Sequence, residues 1–207
     1  SQIEIWNEQM AIFGASVIKS RTELLKRLIP HAQKCFFDMA GENEILSIEY
    51  LSSFECDIEK NEKDISLELL KKIKENYQKE ISAGAALYGP HRDDLDIKIN
   101  NYSARQFASQ GQQRSAVLAL LLAKTELIRK ETKKTPIVLL DDVMSELDES
   151  RKKYIIENAG EKQIIITSCD RESYKDILLF RYFREALKKL NPWINDSQIS
   201  EAQKLLE

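Results

Sequence analysis

The stretch "TPIVLLDDV", Thr135 to Val143, holds four consecutive apolar residues framed by a proline and two acids. A continuous apolar run of that length suits a strand buried on both faces, the habit of a parallel sheet. Downstream, "KQIIITS" (Lys162–Ser168) repeats the pattern, and "SELDESRKKYIIENA" between them reads as a helix. Strand, helix, strand in this rhythm predicts an α/β fold, a parallel sheet flanked by helices. Upstream, "FASQGQQRSAVLALLLAKTEL" (Phe107–Leu127) predicts a helix to about Glu131, apolar all round. It is entered through a polar turn that holds one of only six glycines.

Further towards the N-terminus the period changes. Ile3, Trp6, Met10, Phe13, Val17, Leu24, Leu25 and Leu28 fall mostly three and four apart, which predicts an amphipathic helix over 3–29. Pro30 is expected to kink or end it, with a further helical turn or two to about Ala40 and Gly41 as C-cap. "EILSIEYLSS" (Glu44–Ser53) predicts a strand, 54–64 a loop, and Leu67, Leu70, Ile73, Tyr77 and Ile81 a single helix from about Ser66 to Ser82. Leu95, Ile97 and Ile99 alternate with polar residues as a half-buried strand. Asn100-Asn101 then makes a tight turn, and a returning strand ends near Phe107. Two helices broken at Asn191-Pro192 are expected from Glu172 to Glu207.

The 207 residues are enough for a real core, and the net charge of −3 gives no global positive field to attract nucleic acid. Any such contact must come from a local basic face. The three cysteines, Cys35, Cys56 and Cys169, form no CxxC pair and are read as reduced, mostly buried thiols of a cytoplasmic protein. The longest apolar run, Ala116–Ala123, falls far short of the ~20 residues that cross a bilayer, so no membrane is expected.

Chemistry is expected in four places. Asp141 and Asp142 emerge at the C-terminal end of the buried strand, where α/β sheets bind ligands. Adjacent carboxylates repel unless a cation or proton lies between them, which suits a magnesium-nucleotide site. The plain alternative is a pair that only caps the next helix. Ser109, Gln110 and Gly111 precede a helix, so its unpaired N–H groups face outward as an anion site, with Arg114 at the electrostatically unfavourable end. Here the alternative is an ordinary N-cap by Ser109. "GPHRDDL" (Gly89–Leu95) crowds polar groups at a loop–strand junction; the alternative is a solvated turn with an internal Arg92–Asp pair. Its His91-Arg92-Asp93 is not a kinase catalytic loop, because the other kinase motifs are missing. The Gly84–Gly89 spacing continues with Pro90-His91, so it is not a phosphate loop. Finally, Lys19, Arg21, Lys26 and Arg27, with Lys34 beyond, could track a phosphate backbone or simply be a solvated helix face.

Taken in order, "GPHRDDL", "SQGQQRS", "IVLLDDVMSELD" and "IIITS" resemble the C-terminal portion of the RecF family, bacterial DNA replication and repair proteins among the ABC-type ATPases related to SMC proteins. The resemblance covers roughly residues 1–175. It implies the C-terminal lobe of an ABC-type ATPase head over 87–175, with a mainly helical arm over 1–86 and a tail, 176–207, that departs from the family. It implies that Ser109, Gln110, Gly111 and Gln112 are the signature motif, which contacts the γ-phosphate held by the other subunit of a dimer. Asp141 matches the Walker B carboxylate on the magnesium side, and Asp142 stands where many relatives place a glutamate as general base. Ser145 to Asp148 match the D-loop, and Thr167 and Ser168 stand where others place the switch histidine.

The implied cofactors are ATP and Mg2+. The implied partners are single- and double-stranded DNA, a second copy in an ATP-dependent homodimer, and other recombination mediator proteins. The implied setting is replication, DNA repair and the SOS response to DNA damage. No GxxxxGK[ST] segment occurs in the sequence. In the family that phosphate loop lies in the N-terminal part, so the expectation is a fragment that is inactive by itself. The alternative is a non-catalytic interaction module of an SMC-like ATPase. The tail is faintly similar to motor subunits of type I restriction endonucleases.

Overall fold

The computed structural model describes residues 2–41, 43–141, 143, 147–157 and 163–167. Its first element, α1 (Gln2–Ala40), is one unbroken helix with Pro30 inside it. The expected break does not occur. Proline removes one backbone donor and crowds the preceding turn, but Ala32, Phe36 and Met39 beyond it are buried in the main core and hold the helix on course. Gly41, with φ +81°, ends it, its N–H reaching the Phe37 carbonyl at 2.9 Å.

Strand β1 (Leu46–Leu51) pairs antiparallel with β2 (Asp94–Ile99), Leu46 opposite Ile99 and Leu51 opposite Asp94. Between them lie α2 (Glu62–Glu75), capped by the Asn61 side chain, and α3 (Tyr77–Ala83). The single helix expected here is split at Asn76, whose side-chain amide turns back onto the Lys72 carbonyl. The Asn100-Asn101 turn is present, with φ of 52° and 67°, and starts the return strand β3 (Tyr102–Ser103). That strand is shorter than expected: Ala104 is drawn into the core and opens a one-turn helix, α4 (Ala104–Phe107).

Next come α5 (Gln110–Thr132), β4 (Val138–Asp141), α6 (Glu149–Glu157) and β5 (Ile164–Thr167). β4 and β5 are parallel, Val138 opposite Ile164 and Asp141 opposite Thr167. The fold is thus α/β, with a small parallel sheet and helices beside an antiparallel three-stranded sheet. The predicted tail helices lie outside the described residues.

Two apolar clusters hold the chain. The larger gathers Phe36 and Met39 of α1, Leu46 and Ile48 of β1, Ala119 and Leu122 of α5, Leu140 of β4 and Ile155 of α6. The smaller packs Ala11, Ala15 and Ile18 of α1 on Ile65, Leu69 and Ile73 of α2, with Phe54. α5 is not covered on all sides as expected. Val117 is 65% exposed and Leu121 also reaches solvent, one helical turn apart. The outer side of β4 is bare as well, Leu139 being 68% exposed while Val138 and Leu140 are buried.

Phe36 is fully buried and its neighbour Phe37 is 47% exposed. Phe36→Ala is expected to lower the unfolding free energy by about 3–5 kcal/mol, and Phe37→Ala by roughly 0.5 kcal/mol. Urea unfolding followed by circular dichroism measures both.

Candidate nucleotide-site motifs and their geometry

The polar turn before α5 is a reciprocal capping box. The Gln112 N–H donates to Ser109 Oγ at 3.2 Å, and the Ser109 N–H donates to Gln112 Oε1 at 2.9 Å. Two amides that would otherwise lack a partner are satisfied together. The helix therefore begins at Gln110, two residues earlier than expected, and Gly111 lies within its first turn. The N-cap reading of Ser109 is correct, and it leaves the end of the helix facing outward, with Ser109 and Gln110 exposed. Gln113 fixes the approach to this turn, its amide donating to the Ala104 and Ala108 carbonyls at 3.1 Å each.

Asp141 ends β4 and is exposed. Its register partner Thr167 donates its hydroxyl to Asp141 Oδ1, so the two strand ends present a carboxylate and a hydroxyl side by side. Arg114 and Asp141 line one open apolar cleft of about 420 Å3, together with Val117, Leu121, Leu140 and Val143. Magnesium keeps several waters and uses one or two carboxylates plus phosphate oxygens, and an exposed Asp141 at a strand end fits such a role. Among the described residues no group of three or more metal-ligating side chains occurs. Asp142, Ser145 and Ser168 lie outside the described residues.

Asp148 sits at the start of α6. Its carboxylate accepts from the Ser150 hydroxyl at 2.7 Å, from the Arg151 N–H at 2.9 Å and from the Arg151 guanidinium. Burial pushes its pKa up, but these donors outweigh it and hold the carboxyl below the ordinary range. Arg151 also donates to Glu44 at 3.1 Å, and Glu44 in turn accepts from the Gln112 amide at 3.0 Å. Sequence reasoning missed Glu44; a lone acid before a strand carries no local signal, and only the fold brings it between Gln112 and Arg151.

The "GPHRDDL" loop is organised by Asp93, which accepts the Tyr50 hydroxyl and the Ser53 N–H, the latter at 2.7 Å. Burial and the Asp93 carboxylate push the Tyr50 pKa up to about 12. Arg92 reaches the Ala86 carbonyl at 3.2 Å, so Asp93 is not the partner that an internal pair would have given it.

The four basic residues of α1 do not form one stripe. Lys19 and Lys26 share a face and meet the 59–60 loop, Lys19 through the Glu59 and Lys60 carbonyls and Lys26 through the Glu59 carboxylate. Arg21 points elsewhere, onto the Pro90 carbonyl, and Arg27 pairs with Glu131 of α5 at 2.8 Å. No described helix is long and apolar enough to cross a membrane.

No family model matches the chain. It is 39% identical over 176 residues to the DNA replication and repair protein RecF of Ruminiclostridium cellulolyticum, covering 85% of this chain and 47% of that protein. RecF of Clostridium acetobutylicum is 39% identical over 184 residues, 86% of this chain and 49% of its own. A solved structure of the recombination mediator protein RecF-ATPrS in the RecFOR pathway superposes with a TM-score of 0.71 at 36% identity, covering 83% of this chain and 46% of that one. The RecF-ATP structure of the same pathway gives 0.70. The chain spans about half the length of the curated relatives it matches.

The capped start of α6 makes a prediction about acid. A carboxyl whose pKa is lower in the folded than in the unfolded chain stabilises the fold above the ordinary aspartate value, and that contribution is lost as pH falls through the lowered value. The Arg151 amide resonance is therefore expected to stay unperturbed through the ordinary aspartate value of 3.8 and to shift only on further acidification. A transition at or above 3.8 in an NMR titration would show that the cap does not carry this charge.

Proposed function

We propose, for a chain homologous to RecF over 85% of its length, that it provides the signature and Walker B half of an ATP-dependent DNA-binding head for recombinational repair and replication. In this reading Ser109, Gln110, Gly111 and Gln112 face the γ-phosphate of ATP held by a second subunit. Asp141 holds the Mg2+ that ATP brings, and Asp142 orients the attacking water. Ser145 and Asp148 belong to the D-loop that meets the opposite subunit. When bound, Mg2+ would neutralise charge on the phosphates. The residues of this chain position and orient: the outward helix end of α5 favours an anion, Asp141 ends β4, and Asp142 takes a role different from that of Asp141. Residues 1–86 act as the arm, lending the end of α1 and β1 to the core of the lobe over 87–175. Other recombination mediator proteins are its partners, and the setting is the cytoplasm.

The observation that carries this reading is the pairing of two exposed motifs on one small sheet and its helix, the capped N-terminus of α5 and the Asp141–Thr167 strand end. A second reading is favoured by a specific fact. The outer side of β4–β5 bears Ile137, Leu139 and Ile165 in the open, whereas parallel sheets are covered on both faces. In that reading the chain is one module of a larger head, covered there by the polypeptide that the relatives carry beyond the matched region, and it does not bind ATP alone.

The two readings meet in one experiment. No GxxxxGK[ST] segment occurs in these 207 residues, and such a loop supplies the lysine and most backbone donors to a nucleotide. Titration calorimetry of the chain with Mg-ATP is expected to show no micromolar binding. Adding the part of the R. cellulolyticum RecF outside the matched 176 residues is expected to restore it. Micromolar binding by the chain alone would overturn the division of labour.

DNA contact from α1 is expected to be weak and strongly salt-dependent, because it rests on phosphate neutralisation in a chain of negative net charge. Replacing Lys19, Arg21, Lys26 and Arg27 with Gln is expected to lower both affinity and the slope of log K against log salt. An unchanged slope in fluorescence anisotropy would exclude these four side chains as phosphate contacts.

A further inference from the structure

We infer that Glu44 is a positioning residue that joins the N-terminal turn of α5 to the start of α6, so that Ser109–Gln112 and Asp148 respond as one unit. Two segments far from it and from each other in sequence converge on this carboxylate. Gln112 Nε2 donates to Oε1 at 3.0 Å, and Arg151 Nη2 donates to Oε2 at 3.1 Å. Arg151 Nη1 in turn holds Asp148. The side chains of Arg151 and Glu44 are only 13% and 19% exposed, so the pair is sheltered from the screening that weakens surface ion pairs.

The chemistry of the acceptor makes the link directional. An ionised carboxylate only accepts hydrogen bonds. It therefore takes the NH2 end of the Gln112 amide and leaves Oε1 of that residue facing the Ser109 N–H. If the amide turned over, an N–H would meet the Ser109 donor and the capping box would open. Glu44 thus selects the amide orientation that closes the box, and its other oxygen anchors the arginine that holds the cap of α6. A neutral glutamine at position 44 has one acceptor end and one donor end, so it can satisfy Arg151 or Gln112 but not both.

This deepens the reading of Ser109–Gln112 and Asp148 as parts of one composite site, yet it needs no nucleotide to be tested. Amide hydrogen exchange on the 207-residue chain, read by NMR, reports both ends. Arg151→Met is expected to speed exchange at the Ser109 and Gln112 amides severalfold, although no bond joins Arg151 to either. In a Glu44→Ala background the same substitution is expected to add nothing at those two amides. Glu44→Gln is expected to speed exchange at Ser109 while sparing the Arg151 amide, which Asp148 still holds. Should Arg151→Met not fold by circular dichroism, Arg151→Lys makes the same comparison, since one ammonium cannot replace the two-pronged contact. No change at Ser109 and Gln112 on altering Arg151, or an equal change with and without Glu44, would overturn the inference. Either result would leave open whether the motif meets ATP, which the calorimetry decides separately.

Discussion

The burial of α1 against two different partners is the constraint on which the rest of the molecule hangs. At 39 residues the helix is roughly 58 Å long, and it lends Ala11, Ala15 and Ile18 to one cluster and Ala32, Phe36 and Met39 to the other. Small residues let α2 come close. A Cβ added at Gly14 would lie 2.8 Å from Leu69 Cδ2 and 3.3 Å from Pro90 Cδ. The same helix then reaches Pro90 through Arg21 and so helps to seat the loop that Asp93 organises. A proline inside a helix costs ~3 kcal/mol. Here it is offset because both flanking segments are already fixed by burial, and a hinge would have to undo one cluster.

The second consequence concerns the parallel sheet. Ile137 to Leu140 form an unbroken apolar run, and such a run specifies burial on two sides. Among the described residues only one side is covered: Val138 and Leu140 face the main core, and Ile137 and Leu139 do not. α5 repeats the pattern, with Leu118 and Leu122 inward and Val117 and Leu121 outward. Two strands alone are marginal in water, and β4–β5 draws its support from α5 and α6 on the inner side. Ile137, Leu139 and Ile165 therefore stay open on its outer side.

Much of the fold was legible because the elements with strong periods had no competitor. The alternation at Leu95, Ile97 and Ile99, the Asn-Asn turn and the two apolar strands all stand where they were expected. Most of what failed was decided by partners distant in sequence. The continuation through Pro30 depends on Phe36 meeting the core, whereas the break at Asn76 is local, its backbone N–H shared between the Lys72 and Ile73 carbonyls. The basic residues of α1 looked like a stripe only because charge was counted along the chain. At about 100° per residue Arg21 leaves the side shared by Lys19 and Lys26, and each finds its own acceptor. Of the site, Ser109 and Asp141 were legible from the residues that follow or precede them, whereas Glu44 was not legible from anything nearby.

The turn at Ser109 shows why the helix-cap and anion-site readings are compatible. The box satisfies the amides of Ser109 and Gln112, but by helix geometry the N–H groups of the first turn at Gln110 and Gly111 have no carbonyl behind them. Gly111 is not one of the glycines with positive φ, so no backbone strain requires it. In a helix it costs ~1 kcal/mol relative to alanine. Its one local return is the absence of a side chain beside outward-facing amides. A cap that kept those amides for itself would stabilise α5 more. Ser109 instead bonds Gln112, and Glu44 holds Gln112 in place, which stiffens the turn while leaving its first amides turned outward.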